Sequence, residues 1–286
     1  MVHTLLRIMA YLPLGLLHAL GAAAGWAVYL LSPRYRARLQ QNLRVSGVCR
    51  SDAMYRQTLR QSVAAAGKSV LELIPVWYRP HRQVLALLKD CDGCGHIDAA
   101  IERGKGIIFL TPHLGCFEIT SLYYSACHPI TILYRPPKLK WLQALIDSGR
   151  RRGQATLAPT DLGGVKALLK ALKRGEAIGI LPDQVPGQGE GVWAPFFGRP
   201  AYTMSLVARL HKSSDAAILL AFGERLSFGR GYRLWIRPFQ GDLSGDAKSA
   251  AAELNREIEN VVRRCPAQYL WSYNRYKTPR GATREA

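Results

Sequence analysis

One segment of the chain runs Gly106-Ile-Ile-Phe-Leu-Thr-Pro-His-Leu-Gly-Cys-Phe-Glu118. Its first half is an uncharged apolar run between a glycine and a proline, which is typical of a buried strand. Residues 130–134 and 177–181 have the same character, and helical periodicity occupies about 139–152 and 161–174 between them. Strands that alternate with helices predict an α/β fold, with a mixed, mostly parallel central sheet flanked by helices.

The rest of the chain extends this pattern without a break. A helical region covers residues 34–75 and is ended by prolines at 75 and 80. Two further strands are predicted at 216–222 and 232–236, followed by a helix at about 246–264. Because no repeat or long linker interrupts the chain, we expect a single domain over 32–286, preceded by an apolar segment at 1–31.

The segment from Ile8 to Leu31 contains no Asp, Glu, Lys or Arg. Its 24 residues exceed the roughly 20 that are needed to cross the hydrocarbon of a bilayer, so it predicts a membrane anchor. Four arginines follow it closely, which by the positive-inside rule places the body of the protein in the cytoplasm. The alternative is a buried or amphipathic helix that only touches the membrane.

The chain is strongly basic, with 39 Lys+Arg against 20 Asp+Glu and a formal net charge of +19. Such an excess predicts a polyanionic partner: nucleic acid, an anionic membrane, an acidic protein or a phosphorylated substrate. The apolar segment and the absence of a recognisable nucleic-acid-binding motif favour membrane lipids over nucleic acid.

Six cysteines are too few for a disulfide scaffold in a chain of 286 residues. Cys91 and Cys94 form a single Cys-x-x-Cys pair, but no second pair follows at the spacing of a zinc site. Reduced cysteines are the plainer interpretation, and a metal or redox role for this pair is the alternative. We expect no bound metal and no cofactor.

His113 and Glu118 are five residues apart at the end of the first predicted strand. Within one helix that spacing would separate their side chains by about 140°, so a shared helix cannot pair them. They can converge if His113 lies in the turn that leaves the strand and Glu118 lies in the first turn of the next helix. Pro112 favours such a turn because its ring disfavours helix before it.

A histidine paired with a carboxylate at the carboxyl end of a strand is suited to acid–base chemistry. The neutral imidazole takes a proton from an attacking hydroxyl, and the carboxylate fixes the tautomer and stabilises the imidazolium. An activated thioester donor would make a covalent nucleophile unnecessary, so Cys116 is set aside as a buried residue.

Several blocks of the chain resemble a known family. His113 and Glu118 match the HxxxxD/E motif of glycerolipid-type acyltransferases, and the surroundings resemble the late acyltransferases of lipid A assembly, the lauroyl and myristoyl transferases of Gram-negative bacteria. The other matching blocks are Tyr134-Arg-Pro136, Leu181-Pro-Asp-Gln184, Ala194-Pro-Phe-Phe-Gly198, Arg230-Gly-Tyr232, Gln268-Tyr-Leu-Trp271 and Asn274-Arg-Tyr-Lys277.

The resemblance implies a glycerolipid-acyltransferase-like fold and an acyltransferase domain over 32–286. It implies acyl carrier protein as the acyl donor and a phosphorylated lipid A precursor, of the Kdo2-lipid IVA type, as the acceptor. It also implies an enzyme of the inner membrane whose catalytic domain lies on the cytoplasmic face.

Carried over residue by residue, the resemblance gives His113 the role of general base and Glu118 that of its partner. Arg135 and Arg150 fall where the family has arginines after the motif, and a guanidinium can bind phosphate through two hydrogen bonds. The alternative for these arginines is a solvated helix end. Asp183 matches the aspartate of a Pro-Asp block, where it orients an arginine, binds the acceptor or caps a turn.

Two other functions remain open at this point. The same fold and chemistry could act on another lipid acceptor, such as a glycerolipid, although Leu181-Pro-Asp-Gln184 replaces the Phe-Pro-Glu-Gly-type block of glycerophosphate acyltransferases. The second alternative is a basic protein that binds a membrane surface or nucleic acid without catalysis.

Overall fold

The computed structural model describes residues 2–137 and 140–283, and these contain nine strands. The strands are β1 (Leu88–Asp92), β2 (Ile107–Leu110), β3 (Ile130–Tyr134), β4 (Ala155–Pro159), β5 (Ala177–Ile180), β6 (Gly191–Phe196), β7 (Arg199–Met204), β8 (Ala217–Arg225) and β9 (Tyr232–Pro238). Seven of them form one sheet in the order β1-β9-β8-β2-β5-β3-β4, and β6 and β7 form a separate antiparallel hairpin.

The described helices surround this sheet. They are α1 (Val2–Ala10), α2 (Leu14–Leu31), α3 (Pro33–Val45), α4 (Asp52–Leu71), α5 (Leu73–Tyr78), α6 (His81–Leu85), α7 (Gly95–Glu102), α8 (Glu118–Ser125), α9 (Lys140–Arg150), α10 (Leu162–Lys173), α11 (Leu206–Ser214) and α12 (Ala247–Arg264). The predicted α/β fold, with a mostly parallel sheet between helices, is therefore confirmed.

Five neighbouring strands of the sheet, β8, β2, β5, β3 and β4, run parallel. Only β9 pairs antiparallel with its neighbour β8, and β1 then runs parallel to β9. Residues of β2 and β5 are buried on both faces, as expected for central strands covered by helices on each side.

The two faces of the sheet hold two separate apolar cores. Ile108 and Leu110 of β2 face a core built with α3, α4, α10, α11 and α12. Ile107 and Phe109 face the other core, built with α5, α7, α8 and α9. Alternate residues of one strand thus contribute to both cores, which fixes the register of β2 and the position of the turn that follows it.

The predicted helical region at 34–75 is divided into separate helices. A break follows α3, where Gly47 has a φ of +61°, and the Ser51 hydroxyl accepts a hydrogen bond from Met54 N–H to start α4. Pro75 does not end the region, because it lies in the first turn of α5, where a proline lacks only a hydrogen bond that the helix does not need.

The structure adds strands that the periodicity did not predict. The edge strand β1 reads Leu-Lys-Asp-Cys-Asp and has no apolar run, and β4 is the opposite edge. The hairpin of β6 and β7 contains two prolines that lie opposite each other in the register. Such polar or proline-containing strands occur at edges, where a full ladder is not required.

Cys91 and Cys94 form a disulfide in the structure, which corrects the expectation that all cysteines are reduced. The pair spans the end of β1 and the turn at Gly93, whose φ of +92° brings the two Cα atoms to 5.8 Å. The described free cysteines are Cys49, Cys116, Cys127 and Cys265.

Candidate active site

The turn that follows β2 is held by backbone hydrogen bonds to β8 and to Gln268. Cys116 N–H donates to Gly223 O of β8 at 2.8 Å, and Gly115 N–H donates to Gln268 O at 3.1 Å. Gly115 has a φ of +58°, and a Cβ there would lie 2.1 Å from Gly223 O, so glycine is required. These contacts fix the backbone just after His113, at the carboxyl end of the sheet.

His113 is paired with Asp183 through two hydrogen bonds. Its Nδ1 lies 2.8 Å from Asp183 Oδ1, and its backbone N–H donates to Asp183 Oδ2 at 2.9 Å. Asp183 follows β5, and β5 is the parallel neighbour of β2, so both residues lie at the same edge of the sheet. The carboxylate accepts the Nδ1 proton, which leaves Nε2 as the basic nitrogen.

The charge of Asp183 is stabilised although the side chain is only 3% exposed. Burial alone would raise the pKa of this carboxyl, but the charge and hydrogen bonds of His113 and the charge of Arg275 outweigh it and lower the pKa. Arg275 is itself held below the site by hydrogen bonds to Tyr202 O and Thr203 Oγ1. Asp183 is therefore an ionised group at neutral pH.

Glu118 forms a different ion pair. Both of its carboxylate oxygens accept from Arg150 Nε at 3.0 Å, and Arg150 Nη2 also contacts Oε1. The Arg150 guanidinium lies over the ring of Tyr134, 5.2 Å from its centre. Burial alone would lower the pKa of Arg150, but the charge and hydrogen bonds of Glu118 raise it. This pair joins the first turn of α8 to the last turn of α9.

The expected pairing of His113 with Glu118 is corrected by these contacts. Among the described hydrogen bonds, His113 Nδ1 is taken by Asp183, while both oxygens of Glu118 face Arg150. The physical reason is the sheet order, because β5 lies directly beside β2 and brings Asp183 under the imidazole.

A cavity of about 680 Å³ opens above these residues. Its charged lining comprises three arginines and two carboxylates, and its other polar side chains include a histidine and a glutamine: Arg135, Arg150, Arg209, Asp161, Glu190, His113 and Gln184. The apolar part of the lining comprises Phe117, Leu133, Leu162, Val165, Leu181, Val185, Pro186, Met204 and Leu206. A cavity of this size, with apolar walls and a cluster of cationic groups, fits a ligand that has both a hydrocarbon chain and an anionic part.

The basic nitrogen of His113 lies on the cavity side of the imidazole. Gln184 Nε2 is 3.2 Å from His113 Nε2 and is exposed to the cavity. Arg135 is an exposed residue at the end of β3, and its Nε donates to Thr160 Oγ1 at 3.4 Å. The structure thus brings His113, Arg135 and Arg150 to one cavity and places Asp183 and Glu118 behind them.

Cys116 does not have the properties of a nucleophile. Its side chain is buried, and burial raises the pKa of the thiol well above its ordinary value. Among residues 2–137 and 140–283, no group of three or more His, Cys, Asp or Glu side chains could hold a metal ion.

Sequence reasoning did not find the contacts of Gln184 or the position of Arg209. Gln184 directly follows Asp183, so the Pro-Asp-Gln block after a buried strand carried a usable signal. Arg209 lies on α11, far from the motif in sequence, and only the packed structure brings it to the cavity.

Comparison with known proteins decides the family. Residues 1–278 match the family described as "Bacterial lipid A biosynthesis acyltransferase". The chain belongs to this family. The enzyme is thus an acyltransferase that transfers an acyl chain onto a lipid A precursor.

Characterised relatives are similar to the acyltransferase over most of their length. It is 28% identical to the lipid A biosynthesis palmitoleoyltransferase of Escherichia coli (strain K12), over 93% of this chain and 87% of that protein. It is 26% identical to the lauroyltransferase of the same strain, over 96% and 89% of the two chains. The corresponding myristoyltransferase is 25% identical over 91% and 86%.

Proposed function

We propose that the acyltransferase moves a fatty acyl chain from the thioester of acyl carrier protein to a hydroxyl group of a Kdo2-lipid IVA-type precursor, with His113 as the general base. One observation carries the mechanism: buried Asp183 accepts from His113 Nδ1, while Nε2 of the same ring meets the exposed amide of Gln184 at the cavity. That arrangement is the one that proton abstraction from an external hydroxyl requires.

The step begins when the acceptor hydroxyl takes the place of the exposed Gln184 amide at His113 Nε2, which then accepts the hydroxyl proton. The hydroxyl oxygen forms a bond to the thioester carbonyl carbon, and the carbon–sulfur bond then breaks. The imidazolium returns its proton to the leaving sulfur, so His113 ends in its starting state. Asp183 stabilises the imidazolium between these events because its ionised carboxylate is fixed against Nδ1.

Glu118 acts on the acceptor side through Arg150. The two oxygens of Glu118 hold the guanidinium in one orientation, and Arg150 lines the cavity beside the histidine. A preorganised guanidinium can stabilise negative charge without reorganisation during the reaction. Glu118 is therefore a positioning residue in this proposal.

The remaining cavity lining suits the phosphate of the acceptor and the acyl chain of the donor. Arg135 and Arg209 are exposed cations at the cavity and can bind an acceptor phosphate. The apolar walls that include Leu162 and Met204 can receive the acyl chain.

The basic surface supports acyl carrier protein as the donor and the membrane surface as the location. A net charge of +19 favours docking of an acidic carrier protein and contact with anionic lipids. We place the enzyme at the inner membrane with its catalytic domain, residues 32–286, on the cytoplasmic face. Residues 1–31 serve as the membrane anchor, and they include Leu14–Leu31, the described helix that is long and apolar enough to cross a membrane.

The experiment is a panel of acyl donors and acceptors with the purified full-length enzyme. Acyl carrier protein loaded with lauroyl, myristoyl or palmitoleoyl chains is offered with Kdo2-lipid IVA or with lysophosphatidic acid, and products are identified by mass spectrometry. We expect transfer to Kdo2-lipid IVA with a preference among the chains. His113→Ala should lower kcat by about 10²–10⁴-fold, the range of general acid–base catalysis.

The outcomes separate the parts of the proposal. Full activity of His113→Ala would contradict the mechanism, whereas transfer only to lysophosphatidic acid would contradict the acceptor. Equal use of acyl coenzyme A and acyl carrier protein would contradict the role of the basic surface in donor choice. Raised salt should raise the KM for acyl carrier protein but not for a short acyl thioester.

A further inference from the structure

The N-terminal helices lie along the body of the protein instead of projecting from it. α2 packs antiparallel against α4, and glycines allow the two backbones to touch. A Cβ on Gly25 would lie 2.4 Å from Val63 O, and a Cβ on Gly67 would lie 1.9 Å from Gly21 O. Such close approach tolerates only glycine, and it lies between Gly21 and Gly25 of α2 and between Val63 and Lys68 of α4.

Polar contacts fasten the first half of α2 and the segment that precedes it. His18 of α2 lies with Nε2 3.2 Å from Glu72 Oε2, at the end of α4. Between α1 and α2, Arg79 donates from Nε to Ala10 O at 2.6 Å and from Nη2 to Leu12 O at 2.8 Å. The helix pair is therefore a fixed part of the molecule.

The opposite face of the same helices is apolar and exposed. Leu16 and Leu20 recur at helical spacing on the side of α2 away from α4. The backbone of Phe228 contacts Gly15, and Phe228 itself is 95% exposed. The exposed large apolar residues of α1, of α2 and of the turns beside them are Leu5, Ile8, Tyr11, Leu16, Leu20, Val28, Leu30, Leu31 and Phe228. So many exposed apolar side chains on neighbouring segments indicate a covering partner.

The cations of α4 limit how a bilayer can cover the apolar face of α1 and α2. A Cβ on Gly21, near the middle of α2, would lie 2.8 Å from Lys68 Cα. Arg60, one turn before Val63 on α4, is exposed at the level of the second half of α2. If α2 crossed roughly 30 Å of hydrocarbon, Lys68 would enter it near the centre, at a cost of about 2.5–3.5 kcal/mol, and Arg60 would enter it nearer one edge.

We propose that α1 and α2 lie in the plane of the bilayer surface, with the exposed apolar face in the lipid and α4 on the water side. Exposed cations flank this face at Arg7, Arg34 and Arg230, which suits anionic headgroups. The whole chain then docks on one leaflet, and residues 2–10 stay on the same side of the membrane as the catalytic domain.

The first test measures the side of the membrane on which α1 lies. Single cysteines are introduced as Thr4→Cys on α1 and Ser244→Cys on the domain surface, each in a Cys127→Ser background because Cys127 is exposed. Sealed membrane vesicles are treated with an impermeant maleimide with and without detergent. We expect the two variants to share the same accessibility, and labelling on opposite sides would overturn the proposal.

A second test probes the lipid face itself by flotation with vesicles of phosphatidylethanolamine and phosphatidylglycerol. Leu20→Glu should weaken vesicle binding by about 10-fold or more, since it replaces an apolar side chain that inserts into the lipid with a charged one. Ile101→Glu, a matched change at a 37% exposed position on α7, should not. Unchanged vesicle binding of Leu20→Glu with a changed oligomeric state would instead assign the face to a second copy and overturn the proposal.

Discussion

Two sites in this molecule combine a histidine, a buried carboxylate and an arginine, and they do different things. At the first, Asp183 accepts from His113 and lies near Arg275. At the second, Glu72 accepts from Arg225 at 2.6 and 2.7 Å, and His18 lies 3.2 Å from it.

The two sites differ in whether a polar group of the site reaches a cavity. Glu72 is 1% exposed, and its oxygens are filled by Arg225, His18 and the Tyr232 hydroxyl. His113 lines a cavity of about 680 Å³, and its Nε2 meets the exposed side chain of Gln184, which can move away. The same residue types therefore join helices to the strands β8 and β9 at one site and face a substrate cavity at the other. The cavity is what makes the chemistry possible.

The largest expected effect tests the open site. Asp183→Asn removes the charge that stabilises the His113 imidazolium and its tautomer, so we expect kcat to fall by about 10²–10⁴-fold. Asp246→Asn is a matched change, because Asp246 caps α12 through Ser249 N–H and asparagine caps a helix equally well. A similar kcat in wild type and Asp183→Asn, measured with folded protein, would remove the distinction between the two sites.

The closed site should respond in stability and not in turnover. Glu72→Gln leaves Arg225 buried without a counter-charge, which we expect to lower the free energy of unfolding by about 3–5 kcal/mol. Denaturant titration in detergent measures this loss. Glu253→Gln breaks an exposed pair with Arg256 and should cost no more than about 1 kcal/mol. Equal losses in the two variants would contradict the structural role of Glu72.

Acid pH should weaken the same site in a defined range. Burial alone would raise the pKa of Glu72, but the charge and hydrogen bonds of Arg225 outweigh it and lower the pKa from 4.5 to about 2. A lowered pKa stabilises the folded state above pH 4.5, and that contribution is lost as the pH falls towards 2. We expect wild type to lose about 3 kcal/mol more than Glu72→Gln across this range, so parallel pH–stability curves would contradict it.

Much of the sheet was predictable from the sequence. The apolar runs of β2, β3 and β5 and the periodicity of α10 and α12 arise from burial along one element, and local pattern reports that burial. The edge strand β1 was not predictable, since its side chains are mostly polar and its pairing with β9 joins distant parts of the chain.

The residues predicted for the site lie together in the structure, but their pairs differ from the prediction. His113, Glu118, Arg135, Arg150 and Asp183 all lie at or just behind one cavity. Which carboxylate meets which cation depends on strand order and on the packing of α8 against α9, and these are set by contacts between residues far apart in the chain. Proximity in sequence pointed to Glu118 as the partner of His113, and tertiary packing selected Asp183.

The smallest expected effect separates these two carboxylates directly. Glu118→Gln keeps one acceptor for Arg150 but removes the charge, so we expect kcat/KM to fall by about 10–100-fold, less than for Asp183→Asn. If Glu118 acts through Arg150, the double variant Glu118→Gln/Arg150→Gln should be no slower than Arg150→Gln alone, because residues in one pair are not additive. The opposite result would be a double variant of Glu118 and Arg150 whose loss of kcat/KM is the product of the two single losses, together with no further loss when Glu118→Gln is added to His113→Ala. That result would mean that Glu118 acts through His113. The cycle thus measures whether the ion pair seen beside the cavity is also the functional one.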